Sequence, residues 1–313
     1  MKKGETRKVI KVGLSSKSRD FNKKLRAMTK IFMFIGVLAG LWTPVAVSAE
    51  PPERDLLFHV SFDKMTASAD YAAGTPNSTD FKSNLEFRPF EGFDGKNAFL
   101  RNEGETLTYD IHKNFNPVEG TFSIWINPVN WEPKGEGLTA LGHKHFLSVS
   151  FENETGNAVL SLYKYYTQSD IGFLITTALN KRNWLALAPG EPYKKGEWIK
   201  LNATWAEGKM VFYVNGQEVN SCAYEKAYED VAGAGIKSGK IMINPILWGG
   251  EHEPWSNQTA VDEVKIYGRA LSAAEISKSY QAESGQVVVQ KEIPAILIAG
   301  LDLDDGRLDR MMA

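Results

Sequence analysis

Residues 261–276 read VDEVKIYGRALSAAEI, and the period of the apolar positions changes halfway along. Val264 and Ile266 alternate with Lys265 and Tyr267, which is the spacing of a strand. Gly268 ends that run, and Ser272 and Glu275 then stand at S-x-x-E, the capping-box spacing that opens a helix. A strand turning tightly into one short capped helix is therefore expected, with the helix over 273–280.

Upstream of this unit the chain reads as strands. LLFHVSF (56–62) puts Leu56, Phe58, Val60 and Phe62 on one face, and TFSIWI (121–126) does the same with Phe122, Ile124 and Ile126. EWIKLNATW (197–205) alternates Ile199, Leu201, Ala203 and Trp205 with Lys200, Asn202 and Thr204. MVFYVNGQEV (210–219) carries Asn215-Gly216, the strongest short hairpin signal, because both residues accept positive φ. Many short strands between Gly, Asn and Pro turns predict an all-β, two-sheet antiparallel sandwich with a single C-terminal capped helix.

The first 49 residues stand apart. Ile31 to Val47 is an uncharged apolar run that ends at Val47-Ser48-Ala49, small residues of the kind a signal peptidase reads. Eleven Lys and Arg precede it, too many for an ordinary signal peptide, and Met28 offers a simpler start. Residues 1–49 are read as a cleaved signal peptide, 50–281 as one domain, and 282–313 as a tail or the start of a further segment. An uncleaved anchor is the alternative reading of the apolar run, which is short for a membrane span.

Removing the eleven basic and two acidic residues of 1–49 from the chain's 36 and 38 leaves 25 and 36, a net charge of −11 for residues 50–313. That balance argues against nucleic acid and against an anionic membrane surface as partners, and no membrane insertion is expected after signal cleavage. Cys222 is the single cysteine, so no internal disulfide supports the fold, and it reads as a small buried side chain. A secreted, periplasmic or cell-surface location follows from the signal.

The order FSIWINP, GEWIKLNATWAEGKMVFYVNGQEV, VDEVKIYGRALSAAEI resembles the laminin-G-like jellyroll domains of the concanavalin A-like lectin/glucanase superfamily, in the form common in secreted bacterial proteins. The features that carry it are Trp198, the hairpin Tyr213 to Gly216, Asp262 to Tyr267, and Leu271 to Ile276; LLFHVSFD, ending in Phe62-Asp63, resembles the family's first strand. The resemblance spans about residues 56–281 and implies a jellyroll sandwich in which the last strand returns beside the first. Asp262 opens that strand and reads as a hydrogen-bonded structural carboxylate. Many such domains hold one calcium at the rim of the sandwich, and here Asp63 or Asp94 would supply the carboxylate.

The superfamily includes glycoside hydrolases, whose chemistry needs two facing carboxylates. The E-x-D-x-x-E pattern of one branch does not occur in this sequence, and no catalytic residue is nominated. His143 and His145 form H-x-H without a neighbouring acid, and they read as an ordinary polar strand face.

Loop-end aromatics with polar neighbours point to sugar recognition. WGGEHEPWSNQ (248–258) gathers His252, Glu253, Trp255 and Asn257, and Tyr165 and Trp184 are further candidates. Trp125, Trp198 and Trp205 lie on strands and read as packing. The leading expectation is a non-catalytic binding or adhesion module for a glycan or an extracellular protein surface. A polysaccharide hydrolase with an unrecognised carboxylate pair and a structural spacer are the alternatives, because one fold hosts all three.

Overall fold

The computed structural model describes residues 53–79, 85–100, 107–129, 144–164, 171–177, 182–186 (backbone only), 193–223, 231–232, 235–245 and 259–287. The apolar run at 31–47 and most of the segment after 281 lie outside them.

Among the described residues, fifteen strands run in chain order as β1 (Leu56–Val60), β2 (Tyr71–Ala72), β3 (Glu86–Arg88), β4 (Ala98–Leu100), β5 (Leu107–Asp110), β6 (Gly120–Pro128), β7 (Lys144–Asn153), β8 (Gly156–Lys164), β9 (Ile171–Thr177), β10 (Arg182–Ala186), β11 (Ile199–Ala206), β12 (Lys209–Val214), β13 (Gln217–Cys222), β14 (Ser238–Ile243) and β15 (Thr259–Tyr267). Helix α1 (Ala273–Ser284) follows β15. Nine strands form one sheet, in the order β13-β12-β11-β6-β15-β1-β2, with β4 on β15 and β3 on β4. Six form the other, in the order β10-β9-β8-β7-β14-β5. The strand pairings among the described residues are antiparallel, as the jellyroll reading requires.

The core lies between the sheets and follows the alternation in the sequence. Phe58, Phe122, Ile124, Leu201, Trp205 and Ile266 from one sheet meet Val149, Leu160, Phe173 and Ile241 from the other. Trp205 contacts Phe122 edge-on at 4.8 Å and stacks on Phe115 at 5.5 Å. The Asn215-Gly216 turn has φ of 49° and 76°, the left-handed pair the hairpin needs.

β15 departs from simple alternation. Val261 and Val264 are both in the core although three residues apart. A register shift between Asp262 and Lys265, with Glu263 at φ 46°, provides the extra residue. That bulge turns Asp262 and Glu263 out of the core while keeping both valines in it.

Ser272 caps α1 as expected, with both halves of the box formed. The helix continues past residue 280 to Ser284 because its last turns are held from outside. It lies over the outer face of the nine-stranded sheet, where Trp125 stacks on Phe93 at 4.5 Å and meets Tyr280 at 6.0 Å. Glu283 accepts the Trp125 indole N–H at 2.7 Å and the Lys200 ammonium at 2.6 Å. The polar alternates of β11 are therefore not solvated: Lys200 and Asn202 are buried under this layer. The β12–β13 turn also sits tightly against the helix, since a Cβ at Gly216 would stand 2.8 Å from the Tyr280 Cβ.

Cys222 is half-buried on the edge strand β13, packed against the core, and burial pushes its thiol up.

Candidate functional site

Two loops at the rim of the sandwich carry backbone strain. Phe62 and Met65 in the turn after β1, and Phe90 in the turn between β3 and β4, have φ of 63°, 50° and 60°. Non-glycine residues in that region cost energy and cluster where structure serves a purpose beyond stability. Phe90 is 81% exposed and Met65 50% exposed, the two most exposed large apolar side chains among the described residues.

The loops are stitched to each other. Asn97 accepts the Phe90 N–H at 3.3 Å and donates to the Asp63 carbonyl at 2.6 Å. The Lys96 ammonium bridges the Asp63 and Asp94 carboxylates at 2.9 and 2.8 Å, and the two acids raise its pKa. The Lys96 N–H also donates to Asp94 at 3.0 Å, and the Lys96 carbonyl accepts the Gly92 N–H. Below them, Asp262 is 1% exposed, with one oxygen accepting the Glu263 N–H and the other the Phe93 N–H. Burial, then Glu263 and Asp94, raise its pKa well above the ordinary carboxylate value. A Cβ on Gly92 would stand 2.7 Å from the Asp262 carboxyl, so the turn closes over it and only glycine fits. Asp262 is thus the hydrogen-bonded structural carboxylate that the sequence indicated.

Asp63 and Asp94, the two calcium candidates, are brought together here, but around a lysine. Calcium takes six to eight oxygens. Among the described residues no group of three or more His, Cys, Asp or Glu converges to hold a metal. The donor set as folded suits an ammonium.

Beside this rim lies a cleft of about 340 Å³, lined by Met65, Thr66, Ala67, Ser68, Asn77, Ser78 and Phe87. Its apolar members form one surface, and three hydroxyls and an amide form the rest. Its lining carries no charge. Ser78 is fixed by its hydroxyl bond to the Thr108 carbonyl and by a bridge to Tyr109.

His252, Glu253, Trp255, Asn257 and Tyr165 lie outside the described residues. Trp184 lies on β10, in register with Leu174 of β9, so it belongs to a strand rather than a loop end. His145 is buried on the outward face of the six-stranded sheet; its ring stacks on Tyr163 at 5.7 Å, and its Nδ1 lies 2.9 Å from the Ser161 hydroxyl. Phe90 was missed because an isolated Pro-Phe-Glu in a turn carries no periodic signal; only the exposure of its ring in the folded chain marks it.

The sequence matches the family model of the concanavalin A-like lectin/glucanases superfamily over residues 102–277. The chain belongs to that superfamily, as a laminin-G-like jellyroll. Comparison with curated proteins gives no match. Among solved structures, similarity extends to the binding domain of Paraclostridial Mosquitocidal Protein 1, at 15% identity and TM-score 0.54, covering 73% of this chain and 52% of that one. The receptor binding domain of botulinum neurotoxin D is similar at 14% identity and TM-score 0.52, with 73% and 53% covered. A third, the botulinum neurotoxin serotype D ligand binding domain in complex with N-acetylneuraminic acid, matches at 15% identity and TM-score 0.51, with 73% and 51% covered. The chain spans about half the length of these structures. At such identities the likeness is one of fold.

Proposed function

We propose that this chain is a non-catalytic saccharide-binding module that acts outside the cytoplasm, with the rim around Phe90 as its contact surface. The observation that carries this reading is Phe90: a phenyl ring left in water, on strained backbone, at the tip of a turn that Asn97, Asp63 and Lys96 hold rigid. An aromatic face in that setting stacks on the C–H face of a sugar ring. The hydroxyls of Thr66, Ser68 and Ser78 and the amide of Asn77 exchange hydrogen bonds with the sugar hydroxyls, while Met65 and Phe87 shield them from water. The uncharged lining suits a neutral sugar. Family membership supports the class, and the names of the similar structures, binding domains of toxins, accord with it.

The three buried carboxylates on β15 and α1 do not offer the exposed proton donor that the hydrolase alternative needs. Burial raises the pKa of Glu263, but His59 at 2.9 Å and then Lys265 reverse this and hold it at about 2. Glu283, likewise buried, is held below the ordinary range by Lys200 and Lys265. Neither keeps a proton to donate at neutral pH. Burial raises the pKa of Asp262, but its carboxyl is sealed beneath the Gly92 turn.

Phe90→Ala tests the reading. Screening on a glycan array followed by titration should show affinity for a neutral ligand reduced about tenfold, by analogy with the ~1–3 kcal/mol of aromatic stacking on bases. The melting temperature should not fall. Unchanged affinity for a confirmed ligand would overturn the Phe90 site, and a loss seen instead with Trp255→Ala would place the contact in the 248–258 segment.

A further inference from the structure

A second, larger cleft, of about 800 Å³, opens where the segment after β5 meets the segment leading into β14. It shares no lining residue with the Phe90 rim. Its floor is apolar: Ile111 and Phe115 are buried, and Phe115 is backed by Phe151 at 5.7 Å as well as by Trp205. Lys113 and Lys237 stand exposed at its edge, with Asp110 and Ser238 beside them. One Asp110 oxygen accepts the His112 N–H at 2.6 Å, which fixes the carboxylate, and Lys113 is held at φ 63°.

Two unpaired lysines stand together at this cleft. Lys64, Lys96, Lys194, Lys200 and Lys265 are each paired with a carboxylate. Lys113 and Lys237 make no ion pair with any described residue, although residues 50–313 carry a net charge of −11. At physiological salt, charges more than about 8 Å away are largely screened, so a ligand here meets these two ammonium groups rather than the acidic chain. With Asp110 counted against Lys113 and Lys237, the formal charge of these groups is positive by one. That balance favours a carboxylate-bearing ligand over a neutral one.

We propose that this cleft binds an acidic saccharide, a sugar ring bearing a carboxylate. Lys113 and Lys237 meet the carboxylate, Asp110 and Ser238 bond ring hydroxyls, and Ile111 and Phe115 lie beneath the ring's C–H face. The assignment does not depend on the Phe90 site.

Titration calorimetry on the full chain tests it with three probes: a galacturonic acid trisaccharide, its neutral galactose counterpart, and inorganic phosphate. The acidic trisaccharide should bind, and the other two should bind at least about tenfold more weakly or not at all. Raising NaCl from about 50 to about 500 mM should weaken the acidic ligand several-fold. Lys113→Gln with Lys237→Gln should abolish most of the affinity at unchanged melting temperature, Lys113→Arg with Lys237→Arg should retain it, and Phe90→Ala should leave it unaltered. Equal affinity for the neutral trisaccharide or for phosphate overturns the ligand class. Absence of binding by the acidic trisaccharide, or binding indifferent to the double Gln variant, overturns the site.

Discussion

Two clusters in this domain use the same chemistry, an ammonium shared between carboxylates, in opposite surroundings. At the rim, Lys96 bridges Asp63 and Asp94 with 59% of its side chain exposed. Beneath α1, Lys200 is 1% exposed on Glu283, and Lys265, 11% exposed, reaches Glu263, Glu283 and Glu53. In water the pair gains little, because solvent screens it and both side chains lose freedom. Under the helix the charges have left water, so each depends on its partner. The rim cluster therefore shapes a surface, whereas the buried one fastens a helix whose only buried apolar side chain is Ile276.

The largest break in this contrast is Glu283→Gln. It leaves the buried Lys200 ammonium without a countercharge and should cost about 3–5 kcal/mol in urea denaturation. A cost under about 1 kcal/mol would show the cluster to be solvated. Chains ending at Gln281 should lose as much, since they lack Glu283 altogether.

Acid sharpens the comparison further. Glu263 is held at about 2, below the ordinary carboxylate value, so its stabilisation is complete above that ordinary value and fades as pH falls toward about 2. Relative to Glu263→Gln, the wild type should hold its advantage at pH 7 and lose it progressively between about pH 4.5 and about pH 2. A stability difference that stays constant across that window would remove Glu263 from the network. The smallest effect belongs to the rim: Lys96→Gln should change stability by less than about 1 kcal/mol, read by the same denaturation curves.

The hairpin, the capping box and the alternation of β6 and β11 were legible because each is local and periodic. The bulge in β15 was legible in principle: Val261 and Val264 cannot share a face of a regular strand, yet both are core. The burial of Lys200 and Asn202 was not, because alternation shows which residues face away from the core and not what covers them. The sequence joined neither Glu283 to Lys200 nor Asp63 to Asp94, because both contacts cross long chain separations and follow from topology. Phe90 was hidden for a related reason: exposure is a property of the assembled rim. The two lysines of the larger cleft lie far apart in the sequence, and only the fold brings both to one cleft.

The Lys265 ammonium lies 3.6 Å from Glu53 and 3.5 Å from Glu283, so the polypeptide enters and leaves the sandwich at one point. Force applied between those ends would load this junction first and peel α1 and β1 away residue by residue, rather than shearing whole sheets.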